Sequence, residues 1–95
     1  MSKKILFEET LKLDGQYSLD IEILINQDDI DAEQFNLMDD ILFQYIQINN
    51  FKVEHFLTGK KILKVLKDIV EQKFNIKVLK ITCVDTISKK INILK

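Results

Sequence analysis

His55 and Cys83 are the only imidazole and the only thiol in the chain. A closed zinc site needs about three or four ligands of the right kind, so two such residues fall far short of one. A single cysteine forms no internal disulfide, which fits a reducing compartment. Cys83 reads as a small core residue, and His55, beside Phe56, as a surface or partly packed side chain. Lys60, Lys61, Lys64 and Lys67 cluster at helical spacing. That group reads as a solvated helix face; an anion- or RNA-binding surface is the sharper alternative. All fourteen basic residues are lysine, so the guanidinium fork that reads phosphate or guanine in bidentate fashion is missing. Net charge is −1 with 31% charged residues. Without a basic excess, nucleic acid is an unlikely partner. Asp85, just ahead of Thr86, is an ordinary turn carboxylate.

The elements that must position these residues follow from periodicity. Ile5, Phe7, Leu11 and Leu13 share a parity, interrupted by Glu9. Tyr17, Leu19, Ile21, Ile23 and Ile25 alternate with Ser18, Asp20 and Glu22. Both runs predict half-buried strands, and Asp14-Gly15 between them is a hairpin signal. A two-residue loop would pair Leu13 with Gln16 and put the two apolar sets on opposite faces of the sheet. The pattern therefore predicts Leu13 opposite Tyr17 and Leu11 opposite Leu19, with a three-residue loop or a bulge near Gly15.

Met38, Ile41, Leu42, Tyr45 and Ile46 predict a helix. Its start is open between Asp31, with Gln34 three residues on as in a capping box, and Asp39. Asn49-Asn50 ends it. Thr58 is the expected N-cap of a second helix with the stripe Ile62, Val65, Leu66, Ile69 and Val70. Ile76 to Val84 predicts a strand with Leu79, Ile81 and Cys83 inward and a bulge near Val78. Asp85 to Ser88 turns, and Ile91 and Ile93 alternate with Lys90 and Asn92 in a last strand.

The expected architecture is α+β: one domain over residues 1–95, ordered ββααββ, with a four-stranded antiparallel sheet and two helices on one face. The chain is 46% hydrophobic, enough for a single core, but a domain this small gains from assembly. Open sheet edges then predict a homo-oligomer. No apolar run approaches the roughly 20 residues that span a bilayer. Met1-Ser2-Lys3-Lys4 followed by a short apolar run and acids shows no signal-peptide pattern. The expectation is a soluble cytoplasmic protein.

Several short segments, taken in order, resemble the tunnelling-fold (T-fold) pterin enzymes, in particular the 6-pyruvoyl tetrahydropterin synthases and 6-carboxytetrahydropterin synthases. Leu13-Asp14-Gly15-Gln16-Tyr17 resembles their Leu-His-Gly-His-Asn-Tyr stretch with one residue deleted. Phe35-Asn36-Leu37-Met38-Asp39-Asp40 resembles the segment before the first helix, and Ile48-Asn49-Asn50 stands where they have Leu-Asp-His. Leu57-Thr58-Gly59-Lys60-Lys61-Ile62 resembles the start of the second helix. Val84-Asp85-Thr86 resembles the Glu-Thr-Pro motif whose glutamate anchors the pterin ring.

The resemblance implies the ββααββ fold, a subunit-interface site, and a pterin or purine-like ligand held by Asp85 and Thr86 with Thr58 beside them. A carboxylate can accept two hydrogen bonds from the N–H and NH₂ edge of such a ring. It also implies losses. Asp14 and Gln16 replace two zinc histidines, and the third falls near Glu8 or Glu9. The resulting oxygen set suits Mg²⁺ or Ca²⁺ better than zinc. The acid–base dyad maps to Asn49-Asn50, which does not titrate near neutrality. The expectation is therefore a ligand-binding relative with no catalytic residue, no metal and no cofactor, without the zinc-dependent lyase step. The alternative is a non-catalytic oligomeric scaffold or interaction protein. Val53-Glu54-His55-Phe56 also resembles the Leu-Glu-His-Leu motif of dihydroneopterin aldolases, which would make Glu54 the pterin anchor.

Overall fold

The computed structural model describes residues 3–58 and 60–94; Met1, Ser2, Gly59 and Lys95 lie outside them. Two long strands open the fold, β1 (Lys3–Leu13) and β2 (Tyr17–Asn26). After a 3₁₀ turn at Gln27–Asp29 come helices α1 (Ala32–Asn49), α2 (Val53–Leu57) and α3 (Lys61–Phe74). Strands β3 (Val78–Asp85) and β4 (Ile91–Leu94) complete an antiparallel sheet in the order β1-β2-β3-β4. The architecture is α+β, with the two expected long helices and one extra helical turn, α2.

The first hairpin keeps the register that side-chain parity demands: Leu11 pairs with Leu19 and Leu13 with Tyr17. Asp14 and Gly15 take positive φ of 54° and 76° in a three-residue loop. That geometry suits glycine and is tolerated by Asp. Both strand irregularities have the same cause. Leu6 is an extra residue opposite the Leu24–Ile23 step, so Leu6 and Phe7 are both buried and Ile5 turns outward. Leu79 is an extra residue opposite Leu24–Ile25, which returns Val78 to the buried face with Ile81 and Cys83. Each bulge turns a contiguous apolar run into inward pairs.

The core lies between the sheet and the helices. Leu19, Ile21, Ile23 and Ile25 of β2 meet Met38, Leu42 and Ile46 of α1 and Leu63, Leu66 and Val70 of α3. Asp31 is the true start of α1. It accepts the Gln34 N–H at 2.8 Å while Gln34 Oε1 accepts the Asp31 N–H at 3.2 Å. Asp39 is interior to the helix. The buried stripe of α3 centres on Leu63, Leu66 and Val70, with Ile62, Val65 and Ile69 flanking it half-buried. Thr58 does not cap α3. It is the C-cap of α2, and Lys60 stands at the start of α3. No helix among the described residues is long and apolar enough to cross a membrane.

Candidate functional site

Both turns of the sheet and the short helix α2 gather at one end of the fold. The β1–β2 loop reaches up to the helices: Asp14 Oδ2 accepts the Val53 N–H at 3.2 Å. A carboxylate there satisfies one of the free amides at the helix start. His55 closes the same turn, its Nδ1 accepting the Lys52 N–H at 2.8 Å. Its ring lies edge-on to Phe51 with centroids 5.7 Å apart. Phe51 also stacks edge-on against the buried Phe56 at 5.9 Å. The lone histidine is thus a helix-capping group. At the other end of α2, Thr58 Oγ1 donates to the Glu54 carbonyl at 2.6 Å, and the Leu57 carbonyl accepts from Asn92 Nδ2 at 3.0 Å.

Asp85 closes the β3–β4 turn and is 2% exposed. Its Oδ1 accepts the Ile87 N–H at 2.9 Å and its Oδ2 the Ser88 hydroxyl at 2.6 Å. The Ser88 hydroxyl first, and the Ile87 amide next, hold its carboxyl below the usual carboxylate range. Asp85 therefore stays ionised, with both oxygens turned onto its own loop. Thr86 ties this turn to β2: its N–H and its Oγ1 both donate to the Ser18 carbonyl, each at 3.0 Å. The structure brings Asp85 and Thr86 together and commits both to the loop. Thr58 is committed to α2. Glu54 is exposed on α2.

A cavity of about 190 Å³ lies between the end of β1 and the α1–α2 connection, with Lys12, Asp14, Gln47, Asn50 and Lys52 in its wall. It joins two positions that the pterin-enzyme resemblance assigns to metal binding and acid–base chemistry, Asp14 and Asn50. Thr58, Asp85 and Thr86 do not line it. Asn50 is the left-handed C-cap of α1 (φ 50°, ψ 48°), and Asn49 Nδ2 donates to the Tyr45 carbonyl at 2.8 Å. The asparagine pair stops a helix.

The oxygen set expected of Glu8, Glu9, Asp14 and Gln16 is not assembled. Glu8 and Glu9 are consecutive on β1 and so take opposite faces of the sheet, and Asp14 serves α2. Glu8, Glu9, Thr10, Asp20 and Glu22 line a surface pocket without Asp14 or Gln16, and the Thr10 hydroxyl there donates to Asp20 at 2.7 Å. Burial, then the charge of Glu9, then that of Asp40, pushes the Asp39 carboxyl up. Among the described residues no group of three or more His, Cys, Asp or Glu could hold a metal ion. The residues present do not fit zinc. Burial, with Asp85 and Asp20 adding to it, pushes the Cys83 thiol up to about 12. A fully buried thiol held neutral in this way is no nucleophile.

Residue-by-residue reading of the sequence misses Asn92, His55 and Asp14 as the ties that fix α2. Only Asn92 carries a local signal, an amide at the inward-facing parity of β4 beside Leu94. Comparisons with protein families, with characterised proteins and with solved structures find no match to this chain.

Proposed function

We propose that this chain is a non-catalytic assembly module, a small α+β scaffold that self-associates through the open edges of its sheet. One observation carries the reading. The three groups expected to grip a ligand, Asp85, Thr86 and Thr58, are all spent on hydrogen bonds that hold their own loops. Beside the exposed carboxylate of Glu54, what stands open is strand edge and apolar surface. β1 and β4 are the outer strands of an open sheet, and Ile91 on β4 is 56% exposed. Unpaired edges template further strand pairing.

The Asp85 N–H to Lys90 carbonyl bond sets the phase of the β3–β4 ladder. Alternation then turns the Ile91 amide toward the free edge. Ile91→Pro removes that outward donor and leaves the inner ladder intact. Light scattering after size exclusion tests the reading: the wild type is expected as an oligomer, and Ile91→Pro as a smaller species. A monomeric wild type overturns it.

A second reading keeps the ligand. It makes the chain a relative of 6-pyruvoyl tetrahydropterin synthase that binds a pterin or purine without the lyase step. The meeting of Asp14 and Asn50 on one cavity favours it. The volume does not: about 190 Å³ is below the roughly 300 Å³ where small-molecule sites begin, so a second subunit would have to complete the pocket. Titration with neopterin and guanine separates the two readings. Saturable binding of either would establish the ligand reading, absence of binding would leave the assembly reading, and stoichiometric zinc in purified protein would defeat the zinc-free ligand reading.

A further inference from the structure

His55 stands at the third position of α2 and does the work of the glutamate or glutamine in an ordinary capping box. Its Nδ1 accepts the backbone N–H of Lys52, the residue before the helix, at 2.8 Å. That bond fixes the tautomer: Nδ1 is bare and the ring proton sits on Nε2. An imidazole differs from glutamine in one respect. Once protonated, both of its ring nitrogens are donors. The imidazolium has no lone pair for the Lys52 amide and sets N–H against N–H. The ring is exposed, so a proton reaches it without any opening of the fold.

The bonds at the start of α2 also hold a wall. Lys52 and Asp14 both line the cavity of about 190 Å³ at the end of β1. His55 holds Lys52 there through its amide, and the Val53 N–H holds Asp14 at 3.2 Å. The far end of α2 is anchored separately. Phe56 is fully buried, and the Leu57 carbonyl accepts from Asn92 of β4 at 3.0 Å. Loss of the His55 bond therefore loosens Lys52 and Val53 and leaves the rest of α2 docked.

We propose that the start of α2 is a proton-operated gate on this cavity: neutral His55 keeps Lys52 in the wall, and protonation of the ring lets that wall move. The inference goes beyond the assembly reading and does not depend on it. The charged groups around the ring come from three segments. Lys52 and Glu54 flank it along the chain. Asp14, from the β1–β2 loop, accepts the amide next to the one that His55 accepts, and Lys12 of β1 shares the cavity wall. The half of α1 from Ile41 to Asn49 carries no charge, and its titratable group is Tyr45, packed on Phe51. Phe51 in turn meets the imidazole edge-on at 5.7 Å and holds its orientation.

Nuclear magnetic resonance of the full chain tests the gate between about pH 8 and pH 5, where imidazoles take up a proton. Ring-nitrogen shifts of His55 report tautomer and titration. Amide exchange, referred at each pH to the unstructured-chain rate, reports protection of Lys52. At the upper end Nδ1 should be bare. As the ring titrates, Lys52 protection should fall by about two- to tenfold, the net worth of one hydrogen bond. The Thr58 amide, which donates to the Glu54 carbonyl at 3.0 Å, should keep its protection. His55→Gln supplies an acceptor that is neutral at every pH, and should hold Lys52 protection flat. Asp14→Asn keeps an oxygen for Val53 without the charge, and the wild-type fall should survive in it. A proton on Nδ1 at pH 8 would overturn the proposal, as would Lys52 protection that ignores the ring's titration. So would a fall that persists in His55→Gln, or one that disappears in Asp14→Asn. Equal loss at Thr58 would mean that all of α2 detaches, and would overturn the gate as well.

Discussion

Thr86→Val separates a structural threonine from a ligand-binding one. In the structure the Ser18 carbonyl accepts two bonds from Thr86, one from its amide and one from its hydroxyl, both at 3.0 Å. Valine keeps the β-branched shape and the strand preference, and removes only the hydroxyl bond. A net intramolecular hydrogen bond is worth about 0.5–1.5 kcal/mol. The Ser18 carbonyl keeps its amide partner, so no buried group is orphaned and the cost sits in the lower half of that range. The new methyl, at a half-buried position, returns a few tenths of a kcal/mol. The net loss is about 0.5 kcal/mol. For a domain of this size 1 kcal/mol moves Tm by about 4–8 °C, so Thr86→Val should melt about 2–4 °C lower. Thr86→Ser, which keeps the donor, should hold its hydroxyl bond and fall less. The assay is thermal denaturation with and without excess neopterin. A ligand-binding Thr86 makes the opposite pattern. The ligand would stabilise wild type by about 2.7 kcal/mol at a hundredfold excess over Kd, and the valine variant would lose that gain with its ligand-free Tm unmoved. That result would refute the assignment of Thr86 to the turn.

Asp31→Ala removes the side-chain half of the α1 capping box, the acceptor of the Gln34 N–H, and leaves the backbone N–H of residue 31 to Gln34 Oε1; it should cost about 1 kcal/mol, read as a lower Tm and as faster amide exchange in the first turn of α1. Asp85 has a folded-state pKa below its ordinary value, so its contribution to stability is complete above the unfolded carboxylate range and is lost as pH falls through the lowered value. Ser88→Ala removes the largest cause of that lowering, and melts below about pH 4 should show a shallower acid loss than wild type. Cys83 is neutral in the fold up to about 12, so a thiol reagent at pH 8 should label it only after unfolding. Because the unfolded thiol ionises near 9, Tm should fall as pH rises from there toward 12, and Cys83→Ala should flatten that part of the profile.

Side-chain parity made the first hairpin legible in detail. A strand has an exact period of two, so the need to keep Leu11, Leu13, Tyr17 and Leu19 on one face fixes the register and leaves a three-residue loop or a bulge to connect it; the structure has the three-residue loop. The capping box at Asp31 is equally local. The Leu6 bulge was not legible, because Ile5-Leu6-Phe7 is a run without alternation and any of the three could face inward. The α3 stripe expected from spacing lies slightly off the buried centre for a related reason: Ile62, Leu63, Val65 and Leu66 span so wide an arc that the sheet, not the helix, decides which residues are fully buried. Thr58 failed as an N-cap because α2 precedes it. That helical turn is held by Asp14, 39 residues away, and by Asn92, 35 residues from the Leu57 carbonyl it meets. Contacts at such separations leave no trace in a window of neighbouring residues.

The candidate site shows how the same polar residues can be redirected. Where the pterin-synthase reading of the sequence expects glutamate, the chain has Asp85, one methylene shorter. A short carboxylate at the end of a strand reaches the amide two residues on and the hydroxyl three residues on, here Ile87 and Ser88, the geometry that makes Asp a turn residue. A longer arm would carry the carboxylate past that turn and toward an outside partner. At the opposite loop the same logic holds. Asp14, where the pterin-synthase reading expects a zinc histidine, points its oxygen at the first amide of α2, which a neutral imidazole acceptor would serve less well than an anion at a helix start. His55 and Thr58 bind the two ends of that same helix. Asp14, Thr58, Asp85 and Thr86 each supply a bond that fixes a loop or a helix end on this side of the fold. Under the assembly reading proposed above, an end held in this way beside the outer strands β1 and β4 would present a fixed edge to a further strand.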